Sequence, residues 1–330
     1  MASTVLGLTA QPTVFEHTIG YHSLTMSGMY GPYMFMMPRI GDPVPDGPNV
    51  LSINSDKPKI LVSLNAGPYH FFNDSVGPLL QILEMVPDAE VYIDSTHIEF
   101  DRHNKFYNFV FDLLSDMGVP FYEVNTRKFE FINLSNFYYM ISTVYTHDAG
   151  NRIFNAAKRY IKDLDVKPFR NVYLSRKYMV NRVFENQMHD GLTVKHDNRI
   201  DDESILEEYF ASRGFEIIRP EEFKSFQEQI NFFYETKTLI SLTSSGMTNA
   251  IFMQPGNTMI ELMTPLVTFH GAPTETEKAH AQEAQHHFYH IIALNRNHKY
   301  LGLNNMDRDA KKIINTIESD ENIKLFFDRL

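Results

Sequence analysis

Residues 239–262, LISLTSSGMTNAIFMQPGNTMIEL, set hydroxyl side chains and a glycine between an apolar run and a Pro-Gly turn, and a second apolar run closes on Glu261. The apolar runs read as strands, so Thr243, Ser244, Ser245 and Gly246 fall where a strand ends and a short helix begins. Hydroxyls and backbone N–H groups aimed outward from such a helix start attract an anion, and a diphosphate fits that chemistry. An ordinary Ser/Thr helix cap uses the same residue types. Arg176 closes the strand NVYLSRK, and Arg182 follows six residues later. Two guanidiniums at one sheet mouth would clamp phosphate oxygens bidentately; solvated surface arginines are the alternative. Glu261 ends TMIEL, where a carboxylate reads a ribose diol or pairs with a buried cation.

The loop NAGPYHFFND (65–74) follows another apolar run and carries His70, Asn73 and Asp74. A histidine or aspartate there would serve as general base toward an acceptor hydroxyl. Asn73 or Asp74 equally starts the helix that comes next. In HAQEAQHHFYH (280–290), helical spacing places His280, Glu283, His287 and His290 on one face, with His286 four residues before His290. Three imidazoles and a carboxylate would hold zinc, but the segment lacks the HExxH order and draws every ligand from one helix. The triplets DLD (163–165) and DRD (307–309) match the Asp-x-Asp of metal-dependent sugar transferases without following an apolar strand, and carry no weight.

Positioning these groups falls to alternating strands and helices. KILVS from Lys59, AEVYIDS (89–95) and PFYEV (120–124) read as strands, with helices over DSVGPLLQILEMV and HNKFYNFVFDLLSDMG (103–118) between them. FINLSNFYYMISTVYTH (131–147) adds strand material, and AGNRIFNAAKRYIKDLD (149–165) reads as a helix. After VKPF the alternation restarts: strands at 170–177, 215–220, 238–244 and 257–263, helices at 203–214 and 225–237, and a short helix over SGMTNAIFMQ. The fold class expected is α/β, with two Rossmann-like domains and a cleft between them. The boundaries expected are an irregular segment over 1–57, an acceptor-side domain over 58–165, a nucleotide-sugar domain over 166–290 and a helical tail over 291–330.

A length of 330 residues suits two domains, and 43% hydrophobic content with 26 Phe and 17 Tyr gives ample core. The formal charge of −11, from 30 basic and 41 acidic residues, argues against a nucleic-acid partner, which needs a basic face. No cysteine is present, so a disulfide framework and thiolate metal sites are excluded. MASTVLGLTAQPTVFEH has no basic residues ahead of its weak apolar stretch and does not read as a signal peptide; no apolar run reaches the ~18 residues of a membrane span. A soluble, cytoplasmic protein is the expectation.

The segments RNVYLSRKYMVNR, NRIDDESILEEYFASRGFEII, RPEEFKSFQEQINFF and TLISLTSSGMTNAIFMQPGNTMIEL, in this order and spacing, resemble glycosyltransferase family 61. HHFYHIIALNRNHKYLGL is similar to that family's closing segment, and YHFFNDSVGPLL resembles its acceptor-side loop. The resemblance implies GT-B architecture and inverting, metal-independent transfer of a sugar from a nucleotide-sugar donor to a glycan or glycoconjugate, with no cofactor. On it, Arg176 and Arg182 match the family's two arginines, Asn198 its asparagine before the acidic helix, Gln229 its glutamine on the nucleotide side, and Glu261 its closing acid on the ribose. Ser244, Ser245, Gly246, Thr248 and Asn249 would hold the donor's diphosphate and sugar, and Asp74 or His70 would be the base. The chain departs from the family in having Thr243-Ser244-Ser245 where His-Gly-Ala is usual, and in the long insertion FENQMHDGLTVKHD (184–197). The missing histidine opens a second reading, a catalytically inactive nucleotide- or sugar-binding module. A metal hydrolase built on the 280–290 histidines is a third.

Overall fold

The computed structural model describes residues 13–15, 19–20, 39–40, 50–53, 55–64, 71–94, 105–124, 131–134, 137–139, 149–176, 200, 202–264, 289–304 and 306–330. The chain divides into two compact units, Met1–Ala156 and Ala157–Leu330.

In the first unit, strands β1 (Thr13–Phe15), β2 (Ile19–Gly20), β3 (Arg39–Ile40), β4 (Val50–Ile53), β5 (Lys59–Ser63), β6 (Glu90–Asp94), β7 (Phe121–Val124), β8 (Phe131–Leu134) and β9 (Phe137–Tyr139) form two sheets. One has the order β1-β9-β5-β6-β7, with β9, β5, β6 and β7 mutually parallel and β1 antiparallel at the edge. The other, β3-β2-β8-β4, is mixed. The expected β-α-β-α-β alternation is present: β5 leads to helix α1 (Gly77–Met85), β6 to α2 (Lys105–Asp116), and β7 follows. Helix α1 buries Leu79, Leu80, Ile82 and Leu83, the stripe a 3.6-residue period predicts. The turn ahead of it, Phe71–Val76, is wound more widely than an α-helix. Phe71 and Phe72 both enter the core there, their ring centroids 5.7 and 5.5 Å from Phe106 of α2.

Helix α3 (Ala149–Ala157) stops well short of the Asp165 that periodicity predicts. A 3-10 turn, Lys158–Tyr160, follows, and the chain leaves it extended at Ile161. Long-range hydrogen bonds end the helix: the Asn231 side chain donates Nδ2–H to the Tyr160 carbonyl (2.9 Å) and accepts the Lys162 N–H at Oδ1 (2.8 Å). Asn231 lies some seventy residues downstream, out of reach of any local pattern.

The second unit holds one five-stranded sheet, parallel throughout, in the order β11-β10-β12-β13-β14. Its strands are β10 (Arg170–Leu174), β11 (Glu216–Ile218), β12 (Thr236–Leu242), β13 (Thr258–Leu262) and β14 (Lys299–Leu303). Helices α4 (Glu203–Ser212) and α5 (Phe226–Tyr234) and the 3-10 helix Ser245–Phe252 connect them; residues 289–295 form α6, and α7 (Ala310–Ser319) and α8 (Glu321–Asp328) close the chain. Asp202 caps α4 by accepting the Ser204 N–H, and Ser225 caps α5 by accepting that of Glu228.

Register puts Tyr173, Ile240, Ile260 and Leu301 in one row across four strands. That row joins Leu206 and Phe210 of α4, Ile313 and Ile317 of α7 and Phe327 of α8 in a continuous core. The neighbouring row, on the opposite face, is Leu174, Ser241, Glu261 and Gly302. Lys299–Leu303, expected within a helical tail, is thus a strand paired along its length with β13. Its glycine, fourth of five residues, and its short run hide it from a pattern search, and only pairing with β13 decides its conformation.

Candidate active site

Strand order 2-1-3-4-5, counted within the second sheet, creates a switch point between β10 and β12: the chain leaves β10 toward one edge of the sheet and leaves β12 toward the other. Connections at the carboxyl ends of these two strands part company, and the crevice between them is where ligands bind in open parallel sheets. Arg176 lies two residues beyond β10, and Thr243-Ser244-Ser245-Gly246 directly follows β12. The two candidate anion-binding segments therefore flank one crevice.

The β10 rim is held by two carboxylates one turn apart on α4. Glu203 accepts the Arg176 main-chain N–H with both oxygens (3.0 and 3.1 Å) and the Tyr173 hydroxyl (3.1 Å). Glu207 accepts the Ser175 hydroxyl (2.5 Å) and Nη2–H of Arg219 (2.8 Å). Burial raises the Glu203 pKa above the ordinary carboxylate value, against the hydrogen bond and charge of Arg176, and burial beside Glu203 pushes the Tyr173 phenol well up. With its main chain fixed, Arg176 keeps a half-buried side chain that forms no ion pair among the described residues.

On the β12 rim, the Ser241 hydroxyl donates to the Leu174 carbonyl (2.9 Å) and lies 3.4 Å from the Ser244 hydroxyl. Ser244 occupies the cap position of the 3-10 helix in extended conformation, yet its side chain makes no capping hydrogen bond. Ser244 thus does not act as an ordinary side-chain cap. Gly246 rests on the end of β10: a Cβ there would lie 2.7 Å from Leu174 Cδ2 and 3.4 Å from Ser244 Oγ. Leu174 belongs to the Ser241 and Glu261 row, so the 3-10 helix lies on that face of the sheet.

Behind this turn is a buried polar strut. Gln229, 1% exposed on α5, donates Nε2–H to Asn249 Oδ1, and Asn249, 3% exposed, donates Nδ2–H to the Gly246 carbonyl (2.7 Å). Thr248 is buried beside them. Glu261 is 0% exposed and accepts the Tyr300 hydroxyl of β14 at 2.6 Å. Burial and the Glu261 carboxylate raise the Tyr300 phenol pKa, and the exposed His290 ring stacks on Tyr300 at 5.3 Å.

Of the predicted site residues, Arg176, Ser244, Ser245 and Gly246 are gathered at the switch point, with Gln229, Thr248, Asn249 and Glu261 buried behind them. Asp74 sits in the wide turn Phe71–Val76, its side chain outside the described residues, as are His70, Arg182, Asn198, His280, Glu283, His286 and His287. Glu203 and Tyr300 were not singled out from sequence; the signal for Glu203 was an acid at the first turn of the helix after the arginines. Asp163 and Asp307, from the discounted triplets, bind their own turns, accepting the N–H groups of Asp165 and Asp309 (2.9 Å each). Among the described residues no group of three His, Asp or Glu is placed to hold a metal, and no helix is long and apolar enough to cross a membrane.

The family model described as Glycosyltransferase 61 matches residues 69–260. The chain belongs to glycosyltransferase family 61. No curated protein matches it. The family 61 match takes in both rims of the crevice and begins at Tyr69, the first residue of the YHFFNDSVGPLL segment. It ends one residue before Glu261, leaving β14 and the segment leading to it outside. As a family 61 glycosyltransferase, the protein has a sugar donor and an acceptor as its substrates.

Proposed function

We propose that this glycosyltransferase moves a sugar from a nucleotide-sugar donor to a hydroxyl of a glycan or glycoconjugate, with inversion and without a metal ion. The observation that carries the reading is the meeting, at the β10/β12 switch point, of the Arg176 guanidinium, which forms no ion pair among the described residues, and a helix start whose cap residue, Ser244, makes no capping side-chain bond. Both offer donors to an anion, as a metal-independent transferase needs when diphosphate leaves. In this reading Arg176, joined by Arg182, and the turn Ser244–Gly246 receive the diphosphate. Gln229, Thr248, Asn249 and Glu261 support the turn and the nucleotide side. Asp74 or His70 serves as base for the acceptor hydroxyl, whose oxygen attacks the anomeric carbon as the diphosphate departs.

Thermal shift against UDP, GDP, CDP and TDP, with and without EDTA, tests this. One nucleotide should raise Tm, and EDTA should not abolish the rise. A rise that disappears with EDTA would contradict metal independence, and no rise with any nucleotide would contradict diphosphate binding. Binding without any donor turnover would favour the inactive-module reading that the absent histidine raises.

A further inference from the structure

The far end of the 3-10 helix is gripped by the turn that joins α6 to β14. Arg296 donates Nε–H to the Ile251 carbonyl (2.9 Å) and Nη2–H to that of Met253 (3.0 Å). Two residues on, His298 donates Nε2–H to the Ala250 carbonyl (2.8 Å). Asn297 between them has φ of 52°, in the left-handed region, and its own carbonyl accepts the Gly256 N–H (2.9 Å). That reversal lets the side chains of both neighbours reach the same helix end. Arg296 is only 4% exposed. Burying a guanidinium is costly unless its donors are satisfied, and here the carbonyls of Ile251, in the helix, and Met253, its C-cap, accept from Nε and Nη2.

We propose that Arg296 and His298 are positioning residues for donor binding. They fix the axial position of the 3-10 helix from its carboxyl end, as Gln229 and Asn249 do from its amino end, and so hold Ser245 and Gly246 at the diphosphate. A 3-10 helix has poor internal hydrogen-bond geometry and needs outside support to keep one length and pitch. The guanidinium also places positive charge at the negative end of the helix dipole. The role rests on the diphosphate reading above, and it lies outside the residues matched to the family.

The test is the Kd of whichever of UDP, GDP, CDP and TDP raises the wild-type Tm most, measured with wild type, His298→Ala, His298→Gln and Arg296→Lys. Circular dichroism and Tm without nucleotide are recorded for each. His298→Ala should weaken binding about tenfold or more, since misplacing donors by a fraction of an ångström is enough to cost that much. His298→Gln, which can carry an N–H to nearly the same point, should recover most of the affinity. Arg296→Lys keeps the charge but loses the fork, and should weaken binding as well. A folded His298→Ala that binds as tightly as wild type and loses only Tm would overturn the positioning role and leave the diphosphate reading intact. No binding by wild type would overturn both. Should His298→Ala not fold, Arg296→Lys is judged by the same two criteria.

Discussion

Two neighbouring rows of the C-terminal sheet, one residue apart in register, are built from opposite chemistry. Tyr173, Ile240, Ile260 and Leu301 face a core of Leu206, Phe210, Ile313, Ile317 and Phe327. Leu174, Ser241, Glu261 and Gly302 face the layer that holds the 3-10 helix, with buried Gln229, Thr248, Asn249 and Arg296 around it. A parallel sheet covered on both faces favours aliphatic residues on each, because polar groups there must be paired at a cost. The first row follows that rule and the second breaks it. Departures of this kind gather where a site has to be held in one geometry, and this one lies directly behind the switch point.

Phe210 is fully buried on the apolar side and stacks on Tyr173 at 4.7 Å. Phe210→Ala should cost about 3–5 kcal/mol by urea denaturation, the range for deleting a buried phenyl ring. The folded fraction should bind nucleotide as before; a parallel loss of affinity would mean that the two layers are not separable.

The polar side sharpens through pH. Burial, with some help from the Arg296 charge, lowers the His298 pKa from 6.5 to about 4, so the folded state holds this imidazole neutral. A depressed pKa contributes stability that is complete above the unfolded value of 6.5 and is lost as pH falls through about 4. Wild type should therefore lose roughly 2–3 kcal/mol relative to His298→Gln across that window. Glu203 works with the opposite sign: its raised pKa gives stability that is present in acid and fades as pH rises through its folded value. Both proteins share that contribution, so the difference between them isolates His298. A difference flat from pH 7 to 4 would contradict the buried neutral imidazole.

Much of this was legible in the sequence where signals are local. Strand ends and helix starts follow from apolar spacing and from caps such as Asp202 and Ser225, so the hydroxyl-rich turn and Arg176 could be placed at a sheet mouth. That they share one crevice needed strand order, which residue patterns do not carry. Three other features also depended on distant partners. Asn231 ends α3 from some seventy residues away, β14 is a strand because β13 pairs with it, and Arg296 and His298 reach back across more than forty residues to the 3-10 helix. Gln229 and Asn249 could be named from the family's pattern. That they bond to each other could not, since it follows from how α5 packs against the turn.

In the proposed reading the β10/β12 crevice receives a diphosphate through Arg176. Calorimetric titration of wild type and Arg176→Ala with the best nucleoside diphosphate tests it most directly. Losing one charge-assisted contact is worth about 1.5–3 kcal/mol, so the variant should bind roughly 10–100-fold more weakly at an unchanged Tm. Equal affinity in the two proteins would contradict the account.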